Sequence, residues 1–81
     1  MVKNPEVKFN LKEFLEYLNK AAENNNHTAQ YNLGEIYVYG RLKAEKDEKK
    51  GIQYLKLAAL NNNLKAIKIL NELKIDIYKD V

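Results

Sequence analysis

A chain of 81 residues is one domain at most. A fold this small buries only about 60% of the surface that its unfolded chain exposes, so its stability is modest. Hydrophobic residues make up 46% and charged residues 31% of it, the balance of a globular chain rather than a disordered one. Cysteine is absent, which excludes a disulfide framework and a thiolate metal site. Residues 1–6 lack the apolar core of a signal peptide, and no apolar run nears the roughly 20 residues that span a bilayer. These features point to the cytoplasm and away from the membrane, and leave open that the chain is a piece of a longer secreted protein. The net charge of +3 is unevenly placed, with four Lys and five Glu in residues 1–40 against ten Lys/Arg and six Asp/Glu in residues 41–81. Around residues 43–50 lysines alternate with Glu45, Asp47 and Glu48, which reads as a solvated loop and helix start rather than the dense basic patch of a nucleic-acid binder.

In chain order, Pro5 permits a short helical turn, and Val7-Lys8-Phe9 reads as non-helical. Leu11, Phe14, Leu15, Leu18, Ala21 and Ala22 follow the spacing of one helix face. Asn10 is placed to cap that helix, and Glu13 completes the capping-box spacing; the predicted span is residues 10–24. A second helix over residues 27–39 carries the stripe Ala29, Leu33, Ile36, Tyr37 and Gly40, with Asn26 or Thr28 near its start. Residues 41–46 form a loop long enough to join antiparallel helices. Asp47 opens a third helix over residues 47–61 whose stripe includes Leu55, Ala58 and Ala59. Leu64, Ile67, Leu70 and Leu73 define a fourth over residues 63–75. Ile75-Asp76-Ile77-Tyr78 either extends it or breaks into a tail.

The helices repeat. Tyr17-Leu18-Asn19-Lys20-Ala21-Ala22-Glu23-Asn24-Asn25-Asn26 returns 37 residues later as Tyr54-Leu55-Lys56-Leu57-Ala58-Ala59-Leu60-Asn61-Asn62-Asn63, and ten of the 21 positions from Tyr17 to Tyr37 are identical to their partners. Such a period marks stacked supersecondary units. The asparagine triplets fall where helices must turn, and asparagine tolerates the left-handed backbone that ends a helix. Ala21, Ala22, Ala58 and Ala59 let neighbouring helices approach closely. Gly34 lies inside a helix, where it costs about 1 kcal/mol relative to alanine, and so predicts a side chain, Tyr54 or Tyr17, packed on its bare backbone.

Ala29, Leu33, Gly34, Tyr37 and Gly40 fill the first-helix pattern of the Sel1-like repeat, which runs Ala, three variable residues, Leu-Gly, two variable, Tyr, two variable, Gly. Asp47, Lys50, Tyr54, Ala58 and Ala59 match its second helix, while Gly51 and Leu57 depart from it. Asn25 and Asn62 stand at the family's turn glycine, the glycine expected soon after Gly40 is missing, and Asn71 and Lys74 replace the Gly and Tyr in the last helix. Over roughly residues 10–74 the chain thus resembles the Sel1-like repeat family. The resemblance implies an all-α fold, a short α/α solenoid of about four antiparallel helices in a single domain. One full repeat is flanked by two half repeats, coiled right-handedly as in tetratricopeptide arrays. It also implies an adaptor or scaffold role. Solenoids usually need three or more repeats; a fragment, a dimer or a compact four-helix array would each resolve the shortage.

Chemistry is poorly represented. Serine and cysteine are absent, and Thr28 and His27 are single, so serine and cysteine nucleophile triads are impossible. His27 reads as a turn residue, since a zinc site needs three or four ligands. Glu13/Glu16 and Glu45/Asp47/Glu48 sit at solvent-facing or capping positions, and no glycine-rich phosphate loop is present. The chain is therefore expected to be no enzyme and to need no cofactor or metal. Binding is the better expectation. In stacked helix pairs the first helices line the concave face, which selects Gln30, Tyr31, Asn32, Glu35, Val38 and Tyr39, and from the second copy Ile67, Lys68, Ile69, Glu72, Ile75 and Asp76. The expected partner contacts are Gln30, Tyr31, Asn32, Glu35, Tyr39, Lys68 and Glu72, tyrosines being effective anchors. Tyr31 and Tyr39 could equally serve only to pack on a neighbouring helix. The fourth helix is apolar around most of its girth and wants burial on more than one side, by the C-terminal tail or by a second chain through Ile67, Ile69, Ile75 and Ile77. Two functions fit: a module that holds a partner protein, or a small inhibitor or immunity protein that blocks a toxin, nuclease or other enzyme.

Overall fold

The computed structural model describes residues 10–76, all helix and turn with no strand among them. The helical turn expected after Pro5, the residues 7–9 expected to be non-helical and the tail from Ile77 onward lie outside that range. Four helices follow one another: α1 (Leu11–Glu23), α2 (His27–Tyr39), α3 (Glu48–Leu60) and α4 (Leu64–Glu72), with a single 3-10 turn at Arg41–Lys43 between α2 and α3. Each helix is nucleated by a side chain that accepts a hydrogen bond from an otherwise unpaired backbone N–H in its first turn. Asn10 accepts from Glu13 N and Asn26 from Ala29 N, both at 3.1 Å. Asp47 accepts from Lys50 N at 3.1 Å, and Asn63 from Ala66 N at 2.9 Å.

The two asparagine triplets each perform three operations in three residues. Asn24 and Asn61 cap the ends of α1 and α3. Asn25 and Asn62 take left-handed φ of 67° and 68°. Asn26 N then donates to Ala21 O at 3.0 Å and Asn63 N to Ala58 O at 2.9 Å, closing the ring that ends each helix, while the same two side chains start the next. α4 ends in the same manner without asparagine: Lys74 adopts φ 59°, and Ile75 N donates to Leu70 O at 2.9 Å. The expected extension of α4 to residue 75 therefore stops at Glu72. After α2, Gly40 turns left-handed at φ 64°, but so do Leu42 at 58° and Lys43 at 63°. The loop keeps its left-handed course where the family's second glycine is missing, and Asp47 N donates to Tyr37 O at 2.9 Å to return the chain.

The core has two parts. Leu18, Ala22, Ala29, Leu33 and Ile36 fill the space between α1 and α2. Val38, Leu55, Ala58, Ala59, Ala66, Ile69 and Leu70 fill that between α2, α3 and α4. What joins them is the crossing of α2 on α3. A methyl group on Gly34 would stand 2.6 Å from Leu55 Cγ and 3.0 Å from Gly51 O; one on Gly51 would stand 2.6 Å from Val38 Cγ2, 2.7 Å from Val38 N and 2.8 Å from Gly34 O. Each glycine rests on the other's backbone, so the expected tyrosine on Gly34 is replaced by Leu55 and a second glycine. Tyr54 instead stacks with Tyr37 at 6.2 Å between centroids and donates its hydroxyl to Asn19 Oδ1 at 3.0 Å, and Tyr17 is exposed. Val38, expected on the open face, is buried because Gly51 leaves it room.

Gly51→Ala is expected to destabilise the fold by about 2 kcal/mol or more, despite alanine's better helix propensity, because the methyl meets fixed backbone. Gly34→Ala, which mostly meets a leucine side chain, should cost less. Urea melting of the two variants measures both.

Candidate functional site

Between the first turns of α2 and α4 lies an open groove of about 360 Å³, lined by His27, Thr28, Tyr31, Asn32, Asn62, Asn63, Leu64 and Lys65. Beside it, side-chain amide hydrogen bonds join the two asparagine turns. Asn61 Nδ2 donates to Asn25 Oδ1 at 2.9 Å and to Gln30 Oε1 at 3.1 Å. Asn63 Nδ2 faces His27 Nδ1 at 3.1 Å and His27 O at 3.4 Å. Since Asn63 Oδ1 is already committed to Ala66 N, its amide nitrogen is the donor. The neutral His27 ring accordingly accepts at Nδ1 and carries its proton on Nε2.

The surface continues from the groove along α2, where positions 27, 31, 35 and 39 recur at helical spacing on one side. Lys65 Nζ lies 6.0 Å from the Tyr31 ring. Tyr31 donates its hydroxyl to Glu35 Oε2 at 3.3 Å, and Arg41 approaches the same oxygen at 3.6 Å. The Arg41 guanidinium stands 5.1 Å over the Tyr39 ring. Partial burial pushes the Tyr31 hydroxyl above its ordinary value, helped by the charge of Glu35 and by the bond donated to it, and opposed by Arg41. Each contact is weak alone, as exposed ion pairs are; together they link Tyr31, Glu35, Tyr39 and Arg41 along one side of α2.

Of the seven residues expected to meet a partner, Tyr31 and Asn32 line the groove, and Glu35 and Tyr39 extend it through Arg41. Lys68 and Glu72 are exposed and share a helix side with Lys65 at spacings of three and seven. Gln30 does not belong. It is 2% exposed, donating Nε2–H to Ala22 O at 3.1 Å while accepting from Asn61. It satisfies buried polar groups between repeats and offers nothing outward. Ile69 is likewise turned into the core, and Ile67 and Ile75 pack half-buried against the same cluster, so the isoleucines expected to meet a second chain are covered largely from within this one; Ile77 lies outside the described residues. His27, Thr28, Leu64 and Lys65 were missed, because helical periodicity places Leu64 on the core stripe whereas the turn geometry lifts it out. Among the described residues no group of three His, Asp or Glu side chains could hold a metal ion, and no helix is long and apolar enough to cross a membrane.

Two outcomes follow from this geometry. Asn63→Ala removes both a helix cap and the bond to His27 from a buried position, and should cost about 2 kcal/mol, against about 1 kcal/mol for the exposed cap Asn10→Ala; thermal melting of the pair compares them. The Tyr31 phenol should titrate above the usual value of about 10, and Glu35→Gln should bring it part of the way down, read from its ring resonances by NMR. Because the folded value is the raised one, the stability this group contributes is complete below the unfolded value and is lost as pH climbs through the folded one.

The Sel1 repeat pattern matches residues 15–26 and 27–63, more than half of the chain. The break between the two matches falls between Asn26 and His27, where the first asparagine turn hands α1 to α2. No curated protein and no solved structure matches the sequence. Sel1 repeats are non-catalytic units that mediate protein–protein interaction, and with its helix pairs, alanine-lined contacts and left-handed asparagine turns this chain belongs to the Sel1 repeat family.

Proposed function

We propose that the protein is an adaptor or scaffold that holds a partner protein on the surface shared by α2 and α4. The observation that carries this reading is the groove with Tyr31 on its wall, continued by the Glu35–Arg41–Tyr39 contacts. Recognition surfaces concentrate their energy in aromatic and arginine anchors held rigidly before the partner arrives. Tyr31 donates its hydroxyl to Glu35 and has Lys65 near its ring, and Arg41 lies over Tyr39, contacts that favour one orientation of each ring before a partner arrives. Asn32 at the groove, with Lys68 and Glu72 on α4, supplies the polar rim. Tyr39 is exposed, and Tyr31 is half-buried, packing in part against the core cluster while its hydroxyl reaches Glu35.

Replacing Tyr31 and Tyr39 together by alanine should weaken capture of the partner from the source cell by at least about thirtyfold, the effect of one lost anchor, with helical content unchanged by circular dichroism. Undiminished capture would remove this surface from consideration.

A further inference from the structure

The two copies of the repeat differ at one structural corner. At the end of α3 and the start of α4 stand Leu57, Leu60 and Leu64, which are 48%, 55% and 78% exposed. The residues 37 positions earlier, at the same corner of the α1–α2 pair, are Lys20, Glu23 and His27. The repeat thus folds with polar groups at these places, so the fold does not require the leucines. Three exposed leucines within eight residues are an uncommon outlay of apolar surface for so small a protein. Leu64 also forms part of the groove wall opposite Tyr31, which makes the apolar corner continuous with it.

Charge selects the occupant. Residues 49–71 hold five lysines and no acidic residue, and Glu72, at the far end of α4, is the one carboxylate on the helix side that carries Lys65 and Lys68. Among the groove-lining side chains the ionisable ones are His27, Tyr31 and Lys65, and none is a carboxylate. Size excludes one alternative, since three leucines expose a few hundred Å², short of the roughly 800 Å² that each partner contributes to a stable dimer. The area instead suits an amphipathic helix that lays apolar side chains at i, i+3 or i+4 and i+7 against a groove. We infer that the Leu57, Leu60 and Leu64 corner with the adjoining groove docks an acidic amphipathic helical segment of the partner protein. The inference rests on the interaction role proposed above and names the chemistry of what is held. The segment's leucine-like side chains lie on the exposed leucines and Tyr31, and its carboxylates face Lys65 and Lys68.

The test is selection of binders by the full chain from a random sixteen-residue peptide library displayed on phage. It is repeated with a variant carrying the first copy's residues, Leu57→Lys, Leu60→Glu and Leu64→His, whose helical content is checked first. Enriched peptides should be acidic, with apolar residues at helical spacing, and should bind the variant at least about tenfold more weakly than the parent. Lys65→Glu, which leaves the leucines in place, should weaken the same peptides. Enrichment of neutral or basic peptides, no enrichment, or equal binding to the leucine variant would overturn the inference. So would leucine-dependent binding to vesicles of equimolar phosphatidylcholine and phosphatidylserine without acidic-peptide binding, since the occupant would then be a membrane surface. Partner capture that survives the leucine changes but is lost with Tyr31→Ala and Tyr39→Ala would overturn this inference alone. Capture insensitive to the tyrosine pair would sink the broader reading instead.

Discussion

The contact on which everything else depends is the meeting of two backbones, Gly34 on α2 and Gly51 on α3, with nothing between them. Removing both side chains lets the helix axes come closer than alanine would permit, and it creates the room that Val38 and Leu55 occupy on either side. A glycine in a helix interior is a local liability of about 1 kcal/mol. Here two are tolerated because close approach adds dispersion contacts to the side chains flanking them. With so little surface to bury, a small domain gains more from one dense crossing than from several loose ones. The crossing also fixes the rotation of α2 about its own axis, and hence which of its residues face outward.

Much of this was legible in the sequence, and the failures share a cause. The boundaries of the first three helices, the caps at Asn10 and Asp47, the choice of Asn26 or Thr28 at the start of α2, and the left-handed positions Asn25 and Asn62 follow from local chemistry that operates within a few residues, whereas the end of α4 at Glu72 does not. The close approach at Gly34 was also foreseeable, but its partner was not, because which residue of α3 arrives there depends on how two helices are phased against each other. Gln30 and Val38 were misplaced for the same reason. A clue existed for Gln30, since its counterpart in the second copy is Ile67 and positions that accept isoleucine tend to face inward. The bonds of Asn61 and Asn63 to the preceding turn had no local signature, because they join residues 31 and 36 apart and appear only when the repeats stack.

Those bonds tie structure to function. The asparagine turns supply the left-handed backbone that ends α1 and α3, and their amide groups, once stacked, also bind the first turn of α2 to that of α4. The groove is therefore bordered by hydrogen bonds that join the two repeats. The difference between the copies then gains meaning: the scaffold is repeated, whereas the residues displayed on it, Lys20, Glu23 and His27 against Leu57, Leu60 and Leu64, are not. The frame is common to both copies, and the corner gives one of them a surface of a different character.

The two left-handed residues that follow Gly40 give the opposite end of this surface a different temperament. Leu42 and Lys43 each hold a backbone angle that side chains disfavour by about 1–2 kcal/mol, with few buried contacts to compensate. Amide hydrogens there should therefore exchange through small, frequent openings rather than through global unfolding. Arg41, which opens this turn, is also the residue that contacts Glu35 and Tyr39. The fold is thus compliant at this loop and stiff at the asparagine turns, whose side chains are tied to one another by hydrogen bonds.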